Sequence, residues 1–273
     1  MEQLSIFTTM TNPDKRMDPW KEALECYEYF TDNVVIVGKD WPQEFSFELI
    51  GEIFQQGFDK SNGDWVIRMD IDYFFHEKDK EKLINSLNKY PDQPALAFPQ
   101  YQFFTPERYQ IKTRLCLAIN KKKFPQIKFN GGGDLCLPTL NNKVIEPVNV
   151  KNVNIPVYQY DSMFRTKEII KEDRARFARA WHRRFGEYSD RGGPEPEEAY
   201  EAWLNMITVK YKKHTLKTTI NKHPKFIQKK LKNLSPDQFG FNGFGLEDVT
   251  SRKLIDSLKG YKEKYYNQHF KLL

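Results

Sequence analysis

The 273-residue sequence is poor in cysteine, and its three cysteines, Cys26, Cys116 and Cys136, are widely spaced. No CxxC pair occurs. Neither a disulfide framework nor a zinc cluster is supported, and a reducing, cytoplasmic setting is expected. Long apolar runs are missing as well. No stretch approaches the roughly 18–20 residues of a membrane span, and mean hydropathy is negative. A soluble protein without a transmembrane segment is therefore expected. The opening MEQLSIFTTM has neither a basic n-region nor a cleavable apolar core, so no secretory signal is expected. An RNP motif, a zinc finger and a clear helix-turn-helix are all lacking, which argues against a nucleic-acid partner. Internal repeats and low-complexity linkers are lacking too.

What is present is enough apolar material for a core, 39% hydrophobic and 15% aromatic. The length suits one large domain or two small ones. The net charge is +6. Part of the excess sits in Lys121-Lys122-Lys123 and in lysine-rich patches over 210–232. That basic surface is either simply solvated or meets an anionic partner such as a nucleotide, a phosphorylated sugar or a membrane surface.

The first hundred residues alternate between two periods. LSIFTT (4–9), NVVIVG (33–38), DWVIRMD (64–70) and PALAFP (94–99) read as strands. Residues 18–31, 47–58 and 78–90 read as amphipathic helices. The first of these opens on Asp-Pro, a helix-start signal, and places Trp20, Ala23, Leu24, Tyr27 and Phe30 on one face. Strands alternating with helices at this spacing predict a parallel α/β sheet, whose ligands bind beyond the carboxyl ends of the strands. Strand-like segments recur at 114–120 and 153–160. From 166 onward helices dominate, at 166–186 and again after the turn at 191–198.

One stretch concentrates the chemistry. In DWVIRMDID (64–72) an apolar strand runs into Asp70 and Asp72, one residue apart. In an extended chain both point to the same side and Ile71 to the other. Two hard oxygen donors at a strand end suit Mg²⁺ or Mn²⁺, which takes its remaining ligands from substrate phosphates and water. Arg68, two residues earlier, shares that side and would pair either with a phosphate or with Asp70.

The stretch GFDKSNGDWVIRMDIDYFFHEKD resembles the core of the family 2 glycosyltransferases with a GT-A fold. The correspondence rests on Gly63-Asp64-Trp65, on Asp70-Ile71-Asp72 and on His76-Glu77-Lys78-Asp79. The layout of LSIFTT, the helix with Trp20 and Ala23, and VVIVG agrees with it. YQYDSMFRTKEIIKEDRARF (158–177) resembles a further family segment, with Gln159 where a His is usual and Asp161 where a Gly is usual. The resemblance covers roughly residues 4–180. It implies an α/β, GT-A-like fold, a Rossmann-type mostly parallel sheet flanked by helices. The expected division is a nucleotide-sugar-binding and catalytic domain over 1–165 and a mainly helical extension over 166–273 packed on it.

The implied activity is a Mn²⁺- or Mg²⁺-dependent glycosyltransferase. It would use a nucleotide-sugar donor, a UDP- or GDP-sugar, and a glycan or other hydroxyl acceptor, with inversion favoured. Asp72 would be a direct metal ligand, Asp70 would bind metal or the ribose, and His223 in INKHPKF would complete the metal site. Thr8 and Thr9 at the end of the first strand, Arg16 beyond it, Arg68 and Arg165 would bind the nucleotide-sugar. The second strand ends in VGKDWP where the family often has an acidic turn, which leaves Asp40 as the nearest carboxylate. The catalytic base would be Asp134 in NGGGDLCLP or Asp161, with Glu247-Asp248 a third candidate. Glu172-Asp173 reads as a pair on a helix surface. Two other classes remain: a nucleotidyltransferase, against which the absence of glycines in LSIFTTMTNPDKR argues, and a non-catalytic nucleotide- or anion-binding module.

Overall fold

A computed structural model describes residues 3–39, 41–131, 136–210 and 215–246. Its first strand is β1 (Leu4–Thr9), buried along almost its whole length. The helix α1 (Trp20–Phe30) crosses back, and β2 (Val34–Val37) pairs parallel with β1. The helix α2 (Phe47–Lys60) starts on the Ser46 cap, whose side chain accepts from the Leu49 N–H, and leads into β3 (Trp65–Asp70) on the other side of β1. The registers Thr9 with Val37 and Thr9 with Asp70 bring the carboxyl ends of the three strands level.

The chain turns at once into the two-residue β4 (Tyr73–Phe74), passes a 3-10 turn capped by His76, and forms α3 (Lys80–Lys89). A hairpin follows, β5 (Ala95–Thr105) and β6 (Arg108–Asn120). A small ribbon, β7 (Thr139–Leu140) with β8 (Lys143–Val144), and the short β9 (Lys151–Asn152) precede β10 (Val157–Gln159). The sheet order is β2-β1-β3-β6-β5-β10-β4, with β9 beside β5 and β11 (Leu216–Lys217) beside β6. Only β4 and β6 run against the other strands of this sheet. The fold is GT-A-like, a mostly parallel sheet flanked by helices.

Two sequence expectations are revised here. The fourth strand was expected to end at Pro99 and instead runs to Thr105. Pro99 has no N–H to give a ladder, but the pairing with β6 shifts register between Pro99 and Tyr101, and such an irregularity accommodates it. The strand β6 then lies antiparallel between β3 and β5, because the short connection at Pro106-Glu107 can only build a hairpin.

After β10 come α4 (Lys167–Phe185), α5 (Pro196–Asn205), a π-type turn over Met206–Lys210, α6 (Lys225–Lys232) and the single turn α7 (Phe239–Asn242). Phe226, Ile227 and Leu231 of α6 join the core that α1 shares with the sheet. Phe177, Ala180 and Trp181 of α4 pack with α2. Among the described residues no helix is long and apolar enough to cross a membrane.

Part of the basic surface is structural. The Lys121 ammonium donates to the carbonyls of Phe58, Asp59 and Ser61 at 2.7, 2.9 and 2.6 Å, and so caps the C-terminus of α2. Lys122 pairs with Asp64 and Lys123 with Asp92.

The helix α2 also sets a tight constraint on β1. A Cβ added at Gly57 would lie 2.3 Å from Cδ2 of Phe7, which is fully buried. In an open helix Gly→Ala gains about 1 kcal/mol. Here overpacking outweighs it, and Gly57→Ala is expected to lower stability by about 1–3 kcal/mol, read as a fall in the denaturant midpoint.

Candidate active site

The acidic cluster forms where β3 stops. Asp70 is its last residue, Ile71 enters the core and Asp72 falls in the turn before β4. The turn is held on several sides. The Tyr27 hydroxyl of α1 sits 2.8 Å from the Asp70 carbonyl and 2.9 Å from the Tyr73 carbonyl, so its single proton bridges the two ends of the turn. The Tyr160 N–H donates to the Asp72 carbonyl at 3.0 Å. That bond brings Asp161, the next residue, beside the pair.

The three carboxylates meet different fates. Asp70 lies 3.6 Å from the Arg68 guanidinium, and Arg68 also stacks over the Phe54 ring. Asp161 pairs with Arg174 at 2.6 Å and more distantly with Arg165 at 3.8 Å. Burial raises its pKa, but those guanidiniums outweigh burial and hold Asp161 ionised, below the usual carboxylate range. Asp72 forms no ion pair among the described residues. Burial, then the charges of Asp161 and Asp70, push its pKa up to about 8 against the pull of Arg165. A carboxyl in this position is relieved by a proton or by a cation.

Among the described residues no group of three or more His, Cys, Asp or Glu side chains is arranged to hold a metal ion. The donors nevertheless fit a divalent cation that is bound by one or two carboxylates and completed by phosphate and water. Asp70 and Asp72 supply hard oxygens, and Asp72 lacks the positive partner that the other two carboxylates have.

His223 is not brought to them as a ligand. It is fully buried, with Nδ1 2.8 Å from the Tyr160 hydroxyl and Nε2 2.7 Å from the Pro106 carbonyl. Nε2 therefore carries the proton and Nδ1 accepts, which commits both nitrogens within the protein. Burial lowers its pKa to about 4. A group whose folded pKa lies below its unfolded value costs stability as pH falls between the two. His223 is expected to stay neutral down to about pH 4, and stability to fall between about pH 6.5 and 4. The imidazole NMR shifts check the first statement and urea unfolding at stepped pH the second.

Arg165 and Arg16 also have work inside the protein. Arg165 donates to Asp18 at 2.6 Å and to Asp173 at 2.8 Å, and Arg16 reaches the same two carboxylates at 3.0 and 2.8 Å. Arg176 adds a contact to Asp173 at 2.6 Å. Asp173 is thus no helix-surface residue. It is buried at the centre of a network that ties the loop after β1 and the turn after β10 to α4. Asp18 serves the same network, and α1 starts one residue beyond Pro19 without a side-chain cap.

Thr8 and Thr9 stand at the end of β1 as expected, Thr8 buried and Thr9 half-buried. Gly38 closes β2 beside them with φ +84°, a conformation that suits glycine. Asp40, Asp134, Glu247 and Asp248 lie outside the described residues. Reasoning from sequence missed Tyr27 and the Arg174–Asp161 pair. Tyr27 was visible only as one residue of an apolar helix face.

In an open α/β sheet ligands bind in the crevice beyond the carboxyl ends of the strands, and Asp70 and Asp72 stand at such an end. The segment 51–145 matches the family described as glycosyl transferase family 2. It contains β3, Asp70 and Asp72. Solved structures similar to the chain include a glycosyltransferase involved in glycosylation of the major capsid of PBCV-1, 19% identical over 36% of this chain and 51% of that chain, TM-score 0.28. Others are S. aureus TarS 1-349 in complex with UDP-GlcNAc, 10% identical over 76% and 73%, TM-score 0.35, and S. aureus TarS, 9% identical over 77% and 46%, TM-score 0.37. The chain thus spans about half the length of the first of these. No curated protein matches it.

Proposed function

We propose that the protein transfers a sugar from a UDP- or GDP-sugar to a hydroxyl of a glycan or another acceptor, with inversion and with a divalent cation. The observation that carries the reading is the carboxylate pair Asp70 and Asp72 at the end of β3, inside the segment that matches the family, with Asp161 beside it. Asp70 and Asp72 would hold Mn²⁺ or Mg²⁺. Bound there, the cation supplies Lewis-acid stabilisation of the diphosphate leaving group.

The reaction forms a bond from the acceptor oxygen to the anomeric carbon and breaks the bond from that carbon to the diphosphate. The proton of the acceptor hydroxyl passes to a carboxylate. Asp161 is kept ionised by Arg174 and Arg165 and can accept it; Asp134 is the other candidate. Arg68 lies beside Asp70 at 3.6 Å. Thr8 and Thr9 lie at the strand end where the nucleoside would sit.

Thermal-shift titration with UDP-, GDP-, CMP- and dTDP-sugars, with and without Mn²⁺, tests the reading. Binding to the folded state raises apparent stability. One nucleotide class should stabilise only with metal. Equal shifts without metal would favour a non-catalytic anion-binding module.

A further inference from the structure

Three neighbouring strands carry glutamine on the sheet face that looks away from α1. Tyr158 and Tyr160, at the end of β10, Tyr101 and Phe103 of β5 and Tyr109 of β6 all pack into the core shared with α1. Gln159, Gln102 and Gln110 alternate with them and so take the opposite face. On β3 Arg68 takes that same face, between Ile67 and Met69 of the core, and Asp70 follows it by two residues. The register is direct: Gln159 lies across from Gln102, and Gln102 from Gln110. On its other side Gln159 lies across from Tyr73, the residue after Asp72. The glutamine row therefore starts at the acidic turn and runs across the sheet. Asp161 stands two residues beyond Gln159.

The amides are joined in pairs. Gln100 Nε2 donates to Gln159 Oε1 at 2.6 Å and to the Tyr73 hydroxyl at 3.1 Å, and Gln110 Nε2 donates to Gln102 Oε1 at 2.7 Å. Gln100 and Gln110 are sealed, and each leaves its own Oε1 buried without a partner among the described residues. An unpaired buried acceptor costs stability, so stability alone does not account for this network. What the bonds fix is the outer pair. Gln159 and Gln102 each keep 8% exposure, and neither Nε2 has a partner among the described residues. Two amide ends thus stand on adjacent strands, with backbones about 5 Å apart, held from behind and open in front. Amides of fixed direction suit hydroxyl groups, which both donate and accept, and they offer a phosphate no charge. A diphosphate gathered by a cation at Asp70 and Asp72 would leave its sugar beside this row, on the way to Asp161.

The geometry points to Gln102 and Gln159 as the residues that hydrogen-bond the hydroxyls of the transferred sugar, with Gln100 and Gln110 as the positioning residues behind them. This assignment rests on the transferase reading of the acidic turn.

The probes are UDP-GlcNAc, UDP-glucose and GDP-mannose, and beside them UDP and GDP, all with Mn²⁺ and read by calorimetry. Gln102→Leu and Gln159→Leu keep the approximate size of the side chain and remove the amide. Each should weaken binding of the nucleotide-sugar that wild type prefers by about tenfold, the scale of one neutral hydrogen bond. Affinity for the bare nucleoside diphosphate should not change. Gln110→Leu should give a smaller loss of the same kind, and none on top of Gln102→Leu, because both act through one amide. Gln102→Asn, which keeps the amide but draws it back by one methylene, carries the same expectation where leucine upsets folding.

Equal losses of nucleotide-sugar and nucleoside diphosphate would make the glutamines structural and overturn the assignment. Wild-type affinity for both in the folded variants would overturn it too, as would a wild type that binds UDP or GDP and none of the three sugars. Each of these results leaves metal-dependent nucleotide binding by the acidic turn standing. Wild type that binds none of the five probes would remove the transferase reading and this assignment together.

Discussion

Asp72→Ala should abolish metal-dependent nucleotide binding and reduce any sugar transfer by at least about 100-fold, the scale on which loss of one transition-state electrostatic contact is felt. The reason lies in the different surroundings of the three carboxylates. Asp70 has Arg68 and Asp161 has Arg174, whereas Asp72 forms no ion pair among the described residues and burial, Asp161 and Asp70 outweigh the pull of Arg165 on it. It is the group that gains most from a cation and the one whose loss no neighbour can cover. Folding should not suffer. Removing a crowded carboxylate relieves repulsion, so the variant is expected to melt at or above the wild-type temperature. Calorimetry with Mn²⁺ and UDP or GDP, beside a melting curve, checks both halves. Wild-type affinity in a folded Asp72→Ala protein would remove Asp72 from the site.

The largest effect on stability is expected at Arg165. This guanidinium is buried between Asp18 and Asp173 and also faces Asp161. Burial opposes its charge, but the three carboxylates outweigh burial and raise its pKa. Arg165→Ala would leave Asp18 and Asp173 buried with only Arg16 shared between them and Arg176 on one side. Breaking a buried ion pair from one partner costs roughly 3–5 kcal/mol, a large part of the ~5–15 kcal/mol that holds a domain together. The variant should unfold at markedly lower urea.

The pH dependence follows with a definite sign. Burial raises the Asp173 pKa, and Arg16, Arg165, Arg176 and Arg174 more than reverse this, holding it far below the usual range. A carboxylate depressed in the folded state contributes stability above its unfolded pKa of ~4 and loses it as pH falls toward the folded value. Wild type should therefore lose stability below about pH 4, and Asp173→Asn should show a flatter acid limb from a lower starting point.

The elements near the site were largely legible because their signals are local. LSIFTT has the apolar, β-branched and bulky side chains of a buried strand, and β1 occupies those six residues. The same holds for α1, α2, α3 and β3 to within two or three residues. Misreadings came where a non-local partner decides. The continuation of β5 past Pro99 depends on the shifted pairing with β6. Asp173 looked like half of a surface pair, although it lies three residues from Ile170 and seven from Ala180, both buried on the same helix. Only the arrival of Arg16 and Arg165 from elsewhere makes a carboxylate tolerable there. His223 was a reasonable ligand candidate by type, yet Tyr160 and Pro106 engage both its nitrogens. The Asp70-Asp72 pair was visible in sequence; Tyr27, which holds the turn, was not, because its hydroxyl arrives from α1.

The central claim is best tested by incubating the protein with UDP- and GDP-sugars and Mn²⁺ and measuring release of the nucleoside diphosphate, with EDTA and Asp72→Ala as controls. Release from one donor class, with Mn²⁺ and lost in both controls, is the predicted result. Release that persists in EDTA and in Asp72→Ala, or no release from any donor that the protein binds, would contradict it.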